Sequence, residues 1–121
     1  LAFARANARL NTGPEYYPEI VKMDWQDPSL QGRFHRIIGS EVIYRRDDFA
    51  SLRRLFQAFL EPGGTILVAA ELRETTLAFL KHMSEDHRIE ARKKVVRGNG
   101  REIPIVLGTL QPRDPLEPVS L

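Results

Sequence analysis

Leu60-Glu61-Pro62-Gly63-Gly64-Thr65-Ile66-Leu67-Val68-Ala69-Ala70 is the stretch on which the fold turns. Proline and two glycines stop whatever helix precedes them, and an unbroken apolar run of strand length follows. Such a run is the pattern of a strand buried on both faces of a parallel sheet. Working back from it, Phe49, Leu52, Leu55, Phe56, Phe59 and Leu60 recur at spacings of three and four, which predicts an amphipathic helix. Asp47 or Asp48 is placed to cap its start, and Arg53 and Arg54 are expected on the opposite face. Further back, Phe34-His35-Arg36-Ile37-Ile38-Gly39 has the β-branched and aromatic content of a strand. The unit is strand, helix, strand.

Working forward, a second helix is expected over about residues 73–83 with Leu77, Leu80 and Met83 inward. Residues 89–96 and 103–110 then flank Asn99-Gly100, a strong hairpin signal, with Pro104 required at a strand start. At the other end, Leu1-Ala2-Phe3-Ala4-Arg5-Ala6-Asn7-Ala8-Arg9-Leu10 reads as the end of a helix stopped by Gly13-Pro14. Ile20-Val21-Lys22-Met23 reads as a short strand ending at Asp24-Trp25, with Pro28 and Gly32 in the loop after it. From Gln111 the chain carries Pro112, Pro115 and Pro118 and little to bury, so an extended or disordered tail is expected. The expected class is α/β, a mostly parallel sheet closed by a C-terminal antiparallel hairpin.

The 121 residues are 42% hydrophobic and 28% charged, an ordinary balance for one globular domain and not for a disordered or fibrous chain. Eighteen Lys and Arg are interspersed with sixteen Asp and Glu, for a formal charge of +2. No nucleic-acid partner is expected from that, because a footprint needs a basic stripe with stacking aromatics. With no cysteine there is neither a disulfide framework nor a thiolate zinc site, and cytoplasm is the default compartment. His35, His82 and His87 lack the ligand spacing of a metal centre, so no metal is expected. No apolar run approaches the roughly 20 residues that span a bilayer, so no membrane partner is expected. The first residue is Leu1 rather than Met, and the chain reads as part of something longer.

Two blocks carry a resemblance to a known family. Phe34 to Tyr44, ending in Ser40-Glu41-Val42-Ile43-Tyr44, resembles the fourth strand and acidic-x-x-aromatic motif of class I, seven-strand Rossmann-like methyltransferases that modify lysine side chains. Leu60 to Leu67 resembles the Leu-x-Pro-Gly-Gly entry to that family's fifth strand, and the C-terminal hairpin resembles its closing reversal. Met23-Asp24-Trp25 is similar to the end of the third strand, and Asn7-Ala8-Arg9-Leu10-Asn11 to the helix after the second. The family's first strand, its glycine-rich loop and the ribose-holding acid would all precede Leu1. Gly98-Asn99-Gly100 joins two hairpin strands and opens no helix, so it does not stand in for that loop. The resemblance implies that residues 1–110 are a partial methyltransferase domain and residues 111–121 a Pro-rich tail.

It further implies S-adenosylmethionine as cofactor and an N-methyltransferase reaction, with a protein lysine as acceptor. Glu41 and Tyr44 would be the catalytic pair, while Asp24, Trp25, Gly39 and Ser40 would contact the cofactor. A small-molecule amine acceptor, or a non-catalytic interaction module, stays open at this point. An absent first strand would leave Phe34, Ile37 and Ile38 on an unpaired edge open to homodimer formation. The residues also have plainer readings. Glu41 can cap a helix, Tyr44 and Trp25 can pack, Asp24 can hold a turn, and the basic residues around Arg92-Lys93-Lys94 can be a solvated face.

Overall fold

The structure, a computed structural model, describes residues 18–25, 27 and 30–114. The chain divides into two compact units, Leu1–Gln31 and Gly32–Leu121. In the first, the strand expected over residues 20–23 is absent, and a single bridge between Asp24 and Asp27 closes a turn, with the Asp27 N–H donating to the Asp24 carbonyl at 3.1 Å. Among the described residues no strand pairs with these four, so they make no ladder. The helix expected over residues 1–10 lies outside the described residues.

The second unit is a four-stranded mixed sheet with two helices. In chain order it runs β1 (Phe34–Ser40), a 3₁₀ turn (Arg46–Asp48), α1 (Phe49–Phe59), β2 (Leu60–Glu71), α2 (Glu74–Met83), β3 (His87–Gly98) and β4 (Arg101–Pro112). The strand order is β1-β2-β4-β3. β1 and β2 are parallel, whereas β2 with β4 and β4 with β3 are antiparallel. Among the described residues the sheet is therefore mixed, with one parallel pair, and the mostly parallel sheet expected from Thr65-Ile66-Leu67-Val68-Ala69-Ala70 is corrected to that. The burial of β2 shows why that expectation overreached. Ile66, Val68 and Ala70 are buried, but Thr65, Leu67 and Ala69 between them are only half-buried.

The buried face belongs to the helices. Leu80 of α2 sits against Gly108 of β4, where an added Cβ would lie 3.4 Å from Leu80 Cδ2. Phe49 of α1 meets Phe79 of α2 edge-on, centroids 5.3 Å apart. Phe79, Met83, Leu52, Ile66 and Leu110 are essentially inaccessible, and each such side chain stabilises the fold by roughly 1.5–3 kcal/mol. In α2 the inward stripe is Thr76, Phe79, Leu80 and Met83, spaced i, i+3, i+4, i+7, which turns Leu77 outward at 54% exposure. The expectation that Leu77 packs inward is thus overturned by the phase of the helix.

Pro62-Gly63-Gly64 does not sit in a loop. α1 ends at Phe59 and β2 begins at the next residue, so these three residues lie within the strand. Phe34 pairs with Leu60 and Arg36 with Thr65, so residues 61–64 of β2 bulge opposite His35 alone. Gly63 takes φ +79°, and an added Cβ on Gly64 would fall 2.8 Å from the His35 carbonyl and 2.9 Å from that of Glu61. Only glycine fits there. The last carbonyls of α1 are capped from outside by Arg33, whose Nη1 donates to Gln57 O at 3.3 Å and Leu60 O at 3.1 Å.

Arg53, expected on the face opposite the apolar stripe, is clamped between elements. Its Nε and Nη2 donate to Asp86 Oδ2 at 3.1 and 2.8 Å, and its Nη1 to Glu85 at 3.1 Å. Burial alone would push the Asp86 carboxyl up, but hydrogen bonds from Arg53 and His87 outweigh it and hold the group below its ordinary value. His87 Nδ1 meets two acceptors, Asp86 Oδ1 at 2.6 Å and Met83 O at 3.2 Å, so that nitrogen carries the hydrogen. Arg113 closes the same corner by donating to Ser84 O and His87 O.

At the hairpin, Asn99 (φ 51°) and Gly100 (φ 72°) make the two-residue turn their sequence signals. Pro104 lies within β4, not at its start. Its carbonyl accepts the Leu72 N–H at 2.8 Å, one residue past the end of β2, so its nitrogen, which has no hydrogen to donate, lies on the β2 side where that strand has ended. β4 runs through Pro112, two residues into the segment expected to be tail, and residues 115–121 lie outside the described ones. Among the described residues no helix is long and apolar enough to cross a membrane.

The bulge gives a sharp comparison. Gly64→Ala is expected to destabilise by about 2–4 kcal/mol through clash with two carbonyls. Gly98→Ala, with open space around the added methyl, should shift the denaturation midpoint little. Equal midpoints for the two variants would contradict the packing described.

Candidate functional site

Parallel pairing brings the carboxyl ends of β1 and β2 level, with Ser40 opposite Ala69. Open α/β sheets bind ligands outside that end, because loops leave there and backbone groups come free. The chain leaves β1 at Glu41 in the left-handed region, φ +53°, a conformation uncommon for a residue with a long side chain. Two hydrogen bonds hold it there. Its N–H donates to Ala69 O at 2.8 Å, and its Oε1 accepts the Glu71 N–H at 2.7 Å. The side chain thus continues the β1–β2 ladder by one bond after the backbone has turned away.

Arg73 completes the arrangement. Its Nη2 donates to Glu41 Oε2 at 2.8 Å and lies 3.6 Å from Glu71 Oε2, while its Nη1 reaches Ile43 O at 3.5 Å. The Glu41 hydrogen bond raises the Arg73 guanidinium above its ordinary value, against a smaller opposing effect of burial. Both side chains are part-exposed, 35% for Arg73 and 40% for Glu41, so the carboxylate keeps a side open to solvent. Ile43 is fully buried and anchors the segment, and Tyr44 next to it is 62% exposed. The structure therefore brings Ser40 and Glu41 together with Glu71 and Arg73, and presents Tyr44 at the surface.

Arg73 and Glu71 escaped the sequence reading. Their signal is faint: Glu71-Leu72-Arg73 follows directly on an apolar strand, where charged residues often mark only its exit.

Gly39 and Ser40 differ from each other. On the helix face, a Cβ at Gly39 would come within 3.0 Å of Val42 Cγ2 and 3.9 Å of Val68 Cγ1, so the missing side chain there admits the chain's own Val42. Ser40 belongs to the other face, with Ile38, Leu67, Ala69, Leu107 and Thr109 by register. That face is shallowly concave over about 520 Å³, with Glu90 and Arg92 on its β3 side. Asp24 is exposed and Trp25 half-buried in the turn of the first unit, Leu1–Gln31.

No family model matches the chain, and no curated protein matches it. Solved structures of the glycopeptide N-methyltransferase MtfA are similar to it. One is 14% identical with a TM-score of 0.47 over 77% of this chain and 60% of that one. The complex of that protein with (S)-adenosyl-L-methionine is 22% identical, TM-score 0.40, over 73% of this chain and 35% of that one. Its complex with (S)-adenosyl-L-homocysteine is 13% identical, TM-score 0.48, over 89% and 67%. The chain thus spans 60% of the length of the first of these.

If the Glu41–Arg73 pair is one unit, Glu41→Gln and Arg73→Gln should lower the thermal midpoint by similar amounts, and the double variant by no more than either alone. Fully additive losses, read from melts followed by circular dichroism, would contradict the pairing.

Proposed function

We propose that the chain is the C-terminal part of a class I S-adenosylmethionine-dependent methyltransferase acting on an amine nitrogen. The observation that carries this reading is the strand order. A parallel pair level at its carboxyl ends is followed by a hairpin whose second strand turns back antiparallel beside β2, leaving β3 outermost. This supports the resemblance carried by Ser40-Glu41-Val42-Ile43-Tyr44 and Leu60-Glu61-Pro62-Gly63-Gly64-Thr65-Ile66-Leu67, independently of either motif. On this reading the methyltransferase domain runs through the end of β4 at Pro112, two residues beyond the expected boundary at 110.

The strained backbone at Glu41 supports placing the acceptor there, since such conformations persist where surrounding contacts enforce them and cluster at functional sites. An amine with an ordinary pKa of about 10.4 is protonated at neutral pH and must lose a proton before attack. The Glu41 carboxylate, oriented by Arg73 and the Glu71 N–H, holds that amine by hydrogen bonds and balances the positive charge the nitrogen gains. Tyr44 offers an exposed ring face to the cation, a contact of about 0.5–2 kcal/mol. Bound S-adenosylmethionine supplies the methyl group on an electrophilic sulfonium.

The residues present fit one side of that cofactor. Ser40 has an exposed hydroxyl at the strand end and the Gly39 backbone adjoins it. A protein lysine is the acceptor we favour, with a small-molecule amine as the alternative. β1 is an edge strand among the described residues, and Ile38 on it is 75% exposed, which favours a second role in homodimer formation.

Calorimetric titration with S-adenosylhomocysteine is expected to give saturable heat, and none at high micromolar ligand would overturn cofactor binding. Glu41→Gln should lower turnover at least about tenfold while changing cofactor affinity little; unchanged turnover removes Glu41 from the mechanism. Light scattering should show concentration-dependent dimers, and a monomer at every concentration would contradict the edge-strand role.

A further inference from the structure

β3 and β4 outrun the rest of the sheet. β2 ends at Glu71, opposite Ile105, and the Leu72 N–H reaches only as far as Pro104 O. Past that level the hairpin continues through four further pairs, from Val95 with Pro104 to Gly98 with Arg101. At about 3.4 Å per residue this two-stranded arm stands roughly 14 Å beyond the sheet. Because β1 and β2 are parallel, it projects past their carboxyl ends, the end that carries Glu41.

The hairpin of β3 and β4, of which the arm is the tip, is basic in a way the whole chain is not. β3 and β4 hold six Lys and Arg (Arg88, Arg92, Lys93, Lys94, Arg97, Arg101) against Glu90 and Glu102, an excess of four where the entire chain has a net charge of +2. Register divides these charges between two faces, with Arg88 and Glu90 on the face of Arg92 and Lys94 and with Lys93 on the face of Arg97. Glu102 shares a face with Arg97 and pairs with it at 3.1 Å. Arg92, Lys94 and Arg101 occupy the other face with Val96, Ile103 and Leu107, and among the described residues none of the three has an acidic partner. Every residue of β3 from Glu90 to the turn is exposed, and β3 is the outermost strand, so its outer N–H and C=O groups have no strand beside them among the described residues.

We propose that this hairpin docks an extended acidic peptide, which adds as a strand along β3 and sets alternate carboxylates against Arg92 and Lys94, with Arg101 reaching across Gly98 from β4 at the arm. Backbone hydrogen bonds give such an addition its affinity, and side chains on alternate residues give it selectivity. Directly opposed cross-strand neighbours lie about 4.5–5.5 Å apart at Cβ, within reach of an ion pair. A nucleic acid is the poorer fit, because no aromatic residue for base stacking occurs between Arg88 and Leu110. That the docked peptide is also the methyl acceptor rests on the proposed function; the docking itself does not. Three strand spacings of about 4.8 Å separate β3 from β1, so the reactive amine would lie roughly four extended residues from the acidic stretch.

The test is fluorescence anisotropy with the whole chain and three labelled probes: a Glu-Val repeat peptide, its Lys-Val counterpart, and single-stranded oligothymidine. The Glu-Val peptide should bind and the Lys-Val peptide should not. Arg92→Glu with Lys94→Glu and Arg101→Glu should weaken binding about tenfold or more, whereas Arg54→Glu with Lys81→Glu, on the helices, should leave it within about twofold. Substituting Gln at the same three positions is the milder variant should charge reversal disturb folding, and the same direction is expected. Absence of Glu-Val binding, equal weakening by the helix substitutions, or tighter binding of the oligonucleotide overturns the proposal. A wild-type chain that binds the peptide but gives no heat with S-adenosylhomocysteine upholds the docking strip and overturns the reaction instead.

Discussion

The register of β2 against β1 is the constraint on which the rest depends. β2 leaves α1 without a linker, and four residues of it must be accommodated opposite one residue of β1 before regular pairing begins at Thr65. The glycine pair makes that possible, since Gly64 lies against two carbonyls and Gly63 needs a positive φ. Once the bulge is absorbed, Ser40 stands level with Ala69, and the side chain of Glu41 can bond the backbone of Glu71. A slip of one residue would invert both faces of β2, burying Thr65, Leu67 and Ala69 under the helices and exposing Ile66, Val68 and Ala70. It would also carry the Glu71 N–H away from Glu41. Core and candidate site are set by the same choice of register.

A second consequence concerns the two faces of the sheet. The helices cover Ile66, Val68, Val106 and Leu110, while the other face holds Ile38, Ser40, Leu67 and Leu107 in a shallow concavity. The basic side chains Arg92 and Lys94 continue that face across β3, and Arg101 carries it onto the arm. The residues proposed to meet an amine and those proposed to meet a carboxylate therefore share one end of the second unit.

Much of this was legible in the sequence, for reasons particular to each element. The spacing of Phe49, Leu52, Phe56 and Phe59 is a one-dimensional image of a helix face, and Asn99-Gly100 encodes two positive φ angles directly, so both were found. The strands of β1 and the hairpin followed from composition and alternation. What sequence could not disclose was pairing. An apolar run says a strand is buried but not by what, and so β2 was read as central to a parallel sheet when one of its neighbours is antiparallel. Pro62-Gly63-Gly64 was read as a stop because glycine permits a bulge as readily as a turn. Leu77 and Arg53 were misplaced because helix phase and a partner 33 residues away are invisible locally. Of the site, Glu41 and Tyr44 stood out through a motif, whereas Arg73 joins Glu41 only through the fold.

The central claim is that the carboxyl end of β1 is a methyl-transfer site that binds S-adenosylmethionine. Amide hydrogen exchange with and without saturating S-adenosylhomocysteine tests it most directly. The account predicts slowed exchange at Gly39, Ser40, Glu41 and the neighbouring residues up to Tyr44, with the arm beyond Pro104 unchanged. Saturating ligand that leaves the end of β1 unprotected, or that protects the arm alone, would contradict it.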